Sequence, residues 1–91
     1  MKELSIPRFK IAIIIKKADS ELMKKVEKLQ KEDPIEAAKE LVLNCLVSPN
    51  LKDPKFQEDF SCISAIDVVA KIFQLGEIKL ISDAIMKYTR L

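Results

Sequence analysis

The side chains best able to do chemistry in this chain are two cysteines, six serines and an acidic pair. Histidine, the usual general base near neutral pH, does not occur in the 91 residues. The serines therefore lack an imidazole to activate them, and Cys45 and Cys62 lack the base that a cysteine nucleophile needs. The acidic pair Glu58–Asp59 matches neither a calcium loop nor a carboxylate pair with a defined cavity. We therefore expect no enzymatic activity and no catalytic residue.

Ligand-binding motifs are equally scarce. Gly76 is the only glycine, which excludes the glycine-rich loops that bring backbone amides close to a phosphate. Two cysteines without a histidine cannot complete an ordinary four-ligand zinc site. We therefore expect neither a cofactor nor a metal. Cys45 and Cys62 both lie in apolar stretches, which favours buried free thiols over a disulfide.

Length and composition indicate one domain over residues 1–91. A hydrophobic content of 48% supports a single core, and few aromatics, one glycine and 33% charged residues are typical of a compact helical domain. The longest apolar run, Ile11–Ile15, is far shorter than the ~20 residues that span a bilayer. No secretory signal is evident, so a cytoplasmic location without membrane contact is expected.

Charge is distributed unevenly along the chain. Residues 1–31 carry nine basic and four acidic side chains, whereas residues 32–67 carry three basic and eight acidic ones. The simplest interpretation is a solvated helix face, although opposed charges also suit two different partner surfaces. The lysines between Lys16 and Lys31 are able to contact phosphates. Arg8 and Arg90 are the only arginines, however, which makes nucleic-acid binding the less favoured interpretation.

The N-terminal segment predicts a β-strand. Residues 6–16 are rich in isoleucine and bounded by Pro7, and alternate positions would place Phe9, Ile11, Ile13 and Ile15 on one face. A lone strand leaves its backbone groups unpaired. We therefore expect it to pair with the residues before it, with another copy of the chain or with a partner protein.

The remainder, residues 20–91, predicts a helical body. Asp19 or Ser20, Asp33 followed by Pro34, and Asp53 followed by Pro54 are typical helix starts. Glu36 is placed to complete a capping box, and Pro49 is expected to end the second helix.

Further along, Phe56 and Phe60 lie four residues apart and are expected to turn both rings inward. Ser64 and Asp67 predict another capping box, and Ile63 and Val68 a hydrophobic staple. Gly76 is expected to break the next helix before a last amphipathic one. The predicted fold is mainly α, a small helical domain of about four helices with one N-terminal β-strand.

The junction ELVLNCLVSPNLKDPKFQEDF, residues 40–60, resembles the XkdN-like tail assembly chaperones of phages and phage-derived particles. In that family a helix ends in a hydrophobic-hydrophobic-x-Pro-x-Leu pattern, and an Asp-Pro turn with a short acidic-aromatic helix follows it. The similarity extends over residues 35–91 and includes Leu75-Gly76-Glu77, which keeps the glycine and glutamate of the family's Pro-Gly-Glu step without its proline. The residues that carry the junction pattern here, and that we take as candidate partner-binding residues, are Leu46, Val47, Pro49, Leu51, Phe56 and Phe60.

This resemblance implies a non-enzymatic assembly factor. Such a chaperone would bind the long helical tape measure protein, keep it soluble while tail tube proteins are recruited, and then be released. It would act in the host bacterial cytoplasm and be missing from the mature particle. A homo-oligomer formed through the N-terminal strand is compatible with this interpretation.

Two other functions remain open on the residues alone. One is a small basic nucleic-acid-binding regulator that uses the Lys16–Lys31 face. The other is a structural tail subunit that stays in the particle and joins a partner's sheet through Ile6–Ile15.

Overall fold

The computed structural model describes residues 1–9 and 12–90, which form five helices and three short strands. The mainly α prediction is confirmed, whereas the expectation of about four helices and one strand is wrong, because the short pieces carry little periodic signal. The helices are α1 (Ser20–Glu32), α2 (Pro34–Cys45), α3 (Pro54–Asp59), α4 (Ala65–Ile72) and α5 (Leu75–Thr89). The strands are β1 (Lys2–Leu4), β2 (Ile13–Ile15) and β3 (Leu46–Ser48).

The three strands form a small antiparallel sheet in the order β1-β2-β3. β2 therefore pairs along both edges, with Leu4 opposite Ile13 on one side and Leu46 opposite Ile15 on the other. The strand predicted over residues 6–16 is much shorter, and its positions 10 and 11 lie outside the described residues. The chain's own first residues, one of the pairing partners considered from the sequence, form β1 and pair with one edge of β2. β3 pairs with the other edge, and the sequence did not indicate this partner.

Aspartates begin the first three helices, as the sequence predicts. Asp19 accepts a hydrogen bond from the Leu22 amide at 2.8 Å, and Asp53 accepts one from the Lys55 amide at 3.1 Å. The Asp33 carboxylate accepts hydrogen bonds from the Ile35 and Glu36 amides, both at 3.2 Å, and so caps α2. Asp33 is also the C-cap residue of α1, so α1 and α2 form a tight helical hairpin. The Glu36 carboxylate is bonded to the Lys39 ammonium at 3.2 Å, in place of the predicted capping box.

α2 ends at Cys45, earlier than Pro49 predicts. Leu46 has extended backbone angles, and the Lys16 amide donates to the Cys45 carbonyl at 2.9 Å. Pairing with β2 satisfies the backbone groups that a longer helix would otherwise satisfy. Tertiary pairing thus overrides the helical spacing of Leu46. The Ser48–Pro49 peptide bond that follows is cis.

The starts of α4 and α5 differ from the predicted ones. The Ser64 hydroxyl donates to the Asp67 carboxylate at 3.1 Å and makes no backbone cap, and Ile63 is 95% exposed, so no staple forms. Gly76 lies in the first turn of α5 instead of breaking a helix, because α4 has already ended at Ile72. The Glu77 carboxylate accepts a hydrogen bond from the Gln74 amide at 2.8 Å and so caps α5.

The core is formed where α2, α4 and α5 meet the sheet. β2 contributes Ile13 and Ile15, and α1 contributes one fully buried residue, Val26. The apolar face of each of these helices is buried because it packs against this shared core. The other buried apolar residues of the helices are Ala37, Leu41, Val42, Cys45, Val68, Val69, Ile78, Ile81 and Ile85.

Candidate functional site

The six candidate partner-binding residues lie at very different depths. Leu46 is 4% exposed and Leu51 is fully buried, and both belong to the core. Val47, Pro49 and Phe56 are half-buried, and Phe56 packs against the core. Phe60 is the member with a large exposed area, at 40%. In the folded chain, Leu46 and Leu51 therefore stabilise the junction, and Phe60 is the residue open to a partner.

Phe60 and Ile63 project from the connection between α3 and α4, which we call the tip (residues 58–64). The Phe56 and Phe60 rings are stacked with centroids 6.5 Å apart, so Phe60 extends a core contact outward instead of turning inward as predicted. The Cys62 amide donates to the Gln57 carbonyl at 2.8 Å. Ser61 adopts a φ of 54°, the left-handed conformation that ends helices. This turn places two apolar side chains at the surface.

The tip has acidic surroundings. Glu58 and Asp59 are exposed at the end of α3, and Asp67 is exposed on α4. None of these carboxylates forms an ion pair with another part of residues 1–9 and 12–90. An apolar partner carrying positive charge would therefore meet a favourable potential at the tip.

A second apolar surface lies between α1, α2 and α5, and we call it the α1–α5 groove. It is an open cleft of about 740 Å³ with Ala37, Leu41 and Ile78 in its floor. Ile35 is 46% exposed and Leu75 is 59% exposed at its edge. No α3 or α4 residue lines it, so the groove and the tip are separate surfaces. Sequence reasoning missed the groove because it is formed by helices that are distant from one another in the chain.

The charged residues that line the groove lie on its α5 side, and further charges line two depressions beside it. Lys79 and Arg90 line its α5 wall, with Asp83 between them. A shallow depression that shares Gln30 with the groove adds lysines of α1, and another that shares Arg90 adds Lys87 of α5. The cations that line the groove and these two depressions are Lys24, Lys28, Lys31, Lys79, Lys87 and Arg90, against the acids Glu27 and Asp83.

An arginine clamp holds the end of the groove where α5 begins. Arg8 Nε donates to Glu77 Oε2 at 2.8 Å, and Arg8 Nη2 donates to Glu77 Oε1 at 2.7 Å and to the Ile72 carbonyl at 2.8 Å. The hydrogen bond from Arg8, reinforced by the Gln74 amide and the Arg8 charge, lowers the pKa of Glu77 to about 2. The clamp ties the N-terminal segment to the α4–α5 turn. No local sequence signal marks it, because its partners are far apart in the chain.

The two cysteines are free thiols in different environments. Cys45 is fully buried, and burial raises the pKa of its thiol to about 11. Cys62 is half-buried beside the tip, where its Sγ lies 3.5 Å from the Phe60 carbonyl. Within residues 1–9 and 12–90, no hydrogen bond joins either thiol to an acidic or basic side chain.

Metal and membrane sites were sought over residues 1–9 and 12–90. Within those ranges no three cysteine or carboxylate side chains converge as metal ligands. The helices in the same ranges are too short and too polar to cross a bilayer. The geometry therefore leaves two apolar surfaces, the groove and the tip, as the candidate sites.

Comparison with known proteins identifies the family. Searches of curated proteins and of solved structures gave no match. The chain does match, over residues 2–89, the family described as the phage XkdN-like tail assembly chaperone protein. The match begins well before residue 35, so it includes the N-terminal sheet and α1 that the sequence resemblance left out. The predicted resemblance is confirmed, and this chain belongs to the XkdN-like phage tail assembly chaperone family.

Proposed function

We propose that this chain binds the tape measure protein during tail assembly, keeps it soluble, helps to recruit tail tube subunits and is then released. The observation that carries the proposal is the α1–α5 groove, an open apolar cleft on a chain of this family. A tape measure protein is a long helix with apolar stripes, and an apolar groove is a common receptor for one face of such a helix.

The groove suits reversible binding. Its exposed apolar edge consists of Ile35 and Leu75, and its floor is already packed into the core. A partner helix would therefore gain apolar contact without requiring this domain to open, and a modest contact area permits fast release. Release is what an assembly factor needs when the tube polymerises and the chaperone is displaced. The site of action is the host bacterial cytoplasm, and the mature particle would not contain the chain.

The tip offers a second contact. Phe60 and Ile63 are exposed there, far enough from the groove to share no lining residue with it. Two separate apolar surfaces allow one chain to hold the tape measure protein and to contact a tube subunit at the same time. Phe60 thus remains a proposed partner-binding residue, with Val47, Pro49 and Phe56 supporting it. Leu46 and Leu51 act on binding only through the fold.

Co-expression with the cognate tape measure protein tests the proposal. The measurement is the fraction of tape measure protein that stays soluble with the wild-type chain, with an Ile35→Asp/Leu75→Asp variant and with no chaperone. Both substituted side chains are exposed, so the variant should fold. We expect the wild-type chain to keep the partner soluble and the variant to leave most of it aggregated.

The control is Leu80→Asp, compared with Leu75→Asp alone, because each places one aspartate at an exposed leucine of α5 and Leu80 lies outside the groove. It should behave like the wild-type chain. Equal solubility of the tape measure protein with and without the wild-type chain would contradict the proposed function. Equal loss in the Leu80→Asp variant would contradict the groove as its site.

The alternative of a structural tail subunit makes a different demand. A retained structural subunit that joins a partner's sheet through Ile6–Ile15 would need a free strand edge, but β2 pairs on both edges within the chain. The same pairing weighs against a homo-oligomer formed through that strand. Quantification of the chain in purified particles distinguishes a retained subunit from a released chaperone.

A further inference from the structure

The tip presents two apolar side chains within a stretch of the chain whose only charges are negative. We propose that it binds a polypeptide segment in which an apolar side chain is flanked by lysine or arginine. The inference rests on the proposed function only in taking the tip as a second polypeptide contact, and it adds the chemistry of the segment bound there.

The first step is the apolar part of this surface. Ile63 is 95% exposed, so almost none of its side chain contributes to the core. Phe60 is 40% exposed, and its ring stacks on that of Phe56, which packs against the core. The Phe60 ring is therefore held in place before a partner arrives, which lowers the entropy cost of binding. Together the two side chains offer a small anchor for an apolar side chain of a partner.

The second step is the charge around that anchor. Residues 56–70 contain three carboxylates, those of Glu58, Asp59 and Asp67, and no lysine or arginine. All three residues are exposed, and none takes part in the ion pairs found within residues 1–9 and 12–90. The nearest basic residues along the chain, Lys55 and Lys71, lie at the ends of α3 and α4 that are farther from the tip. The carboxylates are therefore available to the cations of a partner.

The third step is that the fold itself gains little from two of these charges. Glu58 and Asp59 lie in the last turn of α3, where the helix end carries partial negative charge and basic side chains are preferred. Asp67 differs, because the first turn of α4 is a favourable position for a carboxylate. Charges placed against the local preference of their helix are typical of functional sites, so a partner explains the acidic pair better than the fold does.

The fourth step is the choice among molecules able to cover exposed apolar side chains. Nucleic acids and anionic membranes carry negative charge, which the carboxylates at the tip would repel. A metal ion does not fit either, because no three ligating side chains converge within residues 1–9 and 12–90. A purely apolar segment would gain only the contact with Phe60 and Ile63. Lysine or arginine beside its apolar residue would add attraction to the carboxylates, so the basic segment is the favoured occupant.

Three designed peptides test the inference. They share one central leucine, and the flanking residues are lysine, serine or glutamate. Binding to the full chain is measured by fluorescence anisotropy at low and at moderate salt. We expect the lysine peptide to bind about tenfold more tightly than the glutamate peptide at low salt, with the serine peptide between them and the differences shrinking as salt is added. The whole chain has a net charge of +2, so non-specific attraction would favour the glutamate peptide instead.

Two variants locate the binding at the tip. Glu58→Gln/Asp59→Asn removes the charges at nearly constant size and should remove most of the preference for lysine. Ile63→Ser removes an apolar side chain that the fold does not bury, and should weaken the lysine peptide about fivefold. The control Glu27→Gln/Glu32→Gln neutralises two exposed carboxylates of α1 and should leave the preference within about twofold.

Each contrary result has a defined meaning. Equal binding of the lysine and serine peptides overturns the inference, as does tighter binding of the glutamate peptide. A lysine preference that survives Glu58→Gln/Asp59→Asn, or that Glu27→Gln/Glu32→Gln reduces equally, also overturns it. So does an anionic vesicle that binds the chain and is released by Ile63→Ser, in favour of a membrane.

The outcome can be separated from that of the proposed function. If the co-expression assay succeeds while the peptides show no preference for lysine, the proposed function stands and this inference fails. If the lysine preference is found while co-expression leaves the tape measure protein aggregated, the chemistry of the tip stands and the proposed function fails.

Discussion

The α1–α5 groove and the tip are both exposed apolar surfaces, but they have different supports and different surroundings. The groove runs along helices of twelve to fifteen residues whose other faces form the core, and its charged lining residues, Lys79, Asp83 and Arg90, lie along the α5 side. The tip stands on the six-residue helix α3 and a turn at Ser61, and exposed carboxylates surround it. A long rigid cleft suits an extended helical partner, whereas two projecting side chains suit a small local contact.

The largest expected effect is on stability, and it distinguishes the buried Leu51, which supports the tip, from Phe60, which is exposed there. Leu51→Ala should lower the free energy of unfolding by about 2–5 kcal/mol, because it opens a cavity where the wild-type side chain is fully buried. Chemical denaturation measures the change. The matched substitution Phe60→Ala, at a side chain 40% exposed, should cost about 1 kcal/mol or less. If the two variants lost similar stability, the distinction between support and exposed contact at the tip would be wrong.

Local chemistry explains which parts of this molecule were predictable. Aspartate caps at Asp19, Asp33 and Asp53 act on amides two or three residues away, so the starts of α1, α2 and α3 follow from short patterns. The mainly α class follows from the same patterns. The family resemblance rested mainly on the junction of residues 40–60, whose pattern is likewise formed by residues close together in the chain.

Long-range contacts explain the rest. β1 and β3 are three residues each, and the expectation that Pro49 ends α2 places β3 inside that helix. The Arg8–Glu77 clamp and the groove depend on residues distant in sequence. Of the predicted site residues, the apolar ones at the junction could not be sorted into core and surface from spacing alone. Leu51 and Phe60 have the same chemistry but opposite exposure.

The next effect concerns the wall of the groove. Asp33 ends α1 and caps α2, so Asp33→Ala should lower the free energy of unfolding by about 1 kcal/mol and loosen the hairpin that carries the α1 wall of the groove. Denaturation gives the stability change, and amide exchange shows where protection is lost. We expect faster exchange at the start of α2 and no change at the tip. Asp33→Asn, which retains a cap acceptor, is the control and should recover most of the loss.

Acid should weaken the Arg8–Glu77 clamp at the end of the groove. The folded pKa of Glu77 is about 2, below its ordinary value of 4.5, so its contribution to stability is complete above about pH 4.5 and is lost as the pH falls towards 2. Over that window the wild-type chain should lose a few degrees of melting temperature more than Glu77→Gln, which has no titrating group there. NMR should show the first changes at the α5 amides near Leu75. Parallel acid profiles for the two chains would contradict the role of the clamp.

The smallest effect tests the geometry of the tip. Ser61 has a φ of 54°, where a side chain is disfavoured and glycine is not. Ser61→Gly should therefore raise the free energy of unfolding by a few tenths to about 1 kcal/mol, the gain being reduced by the greater freedom of glycine in the unfolded chain. Ser61→Ala retains the disfavoured backbone and is the control, with little expected change. Because Ser61→Gly keeps the turn, Phe60 and Ile63 should remain exposed and binding at the tip should persist. A loss of stability in Ser61→Gly would mean that the serine hydroxyl, and not the turn conformation, holds this surface in place.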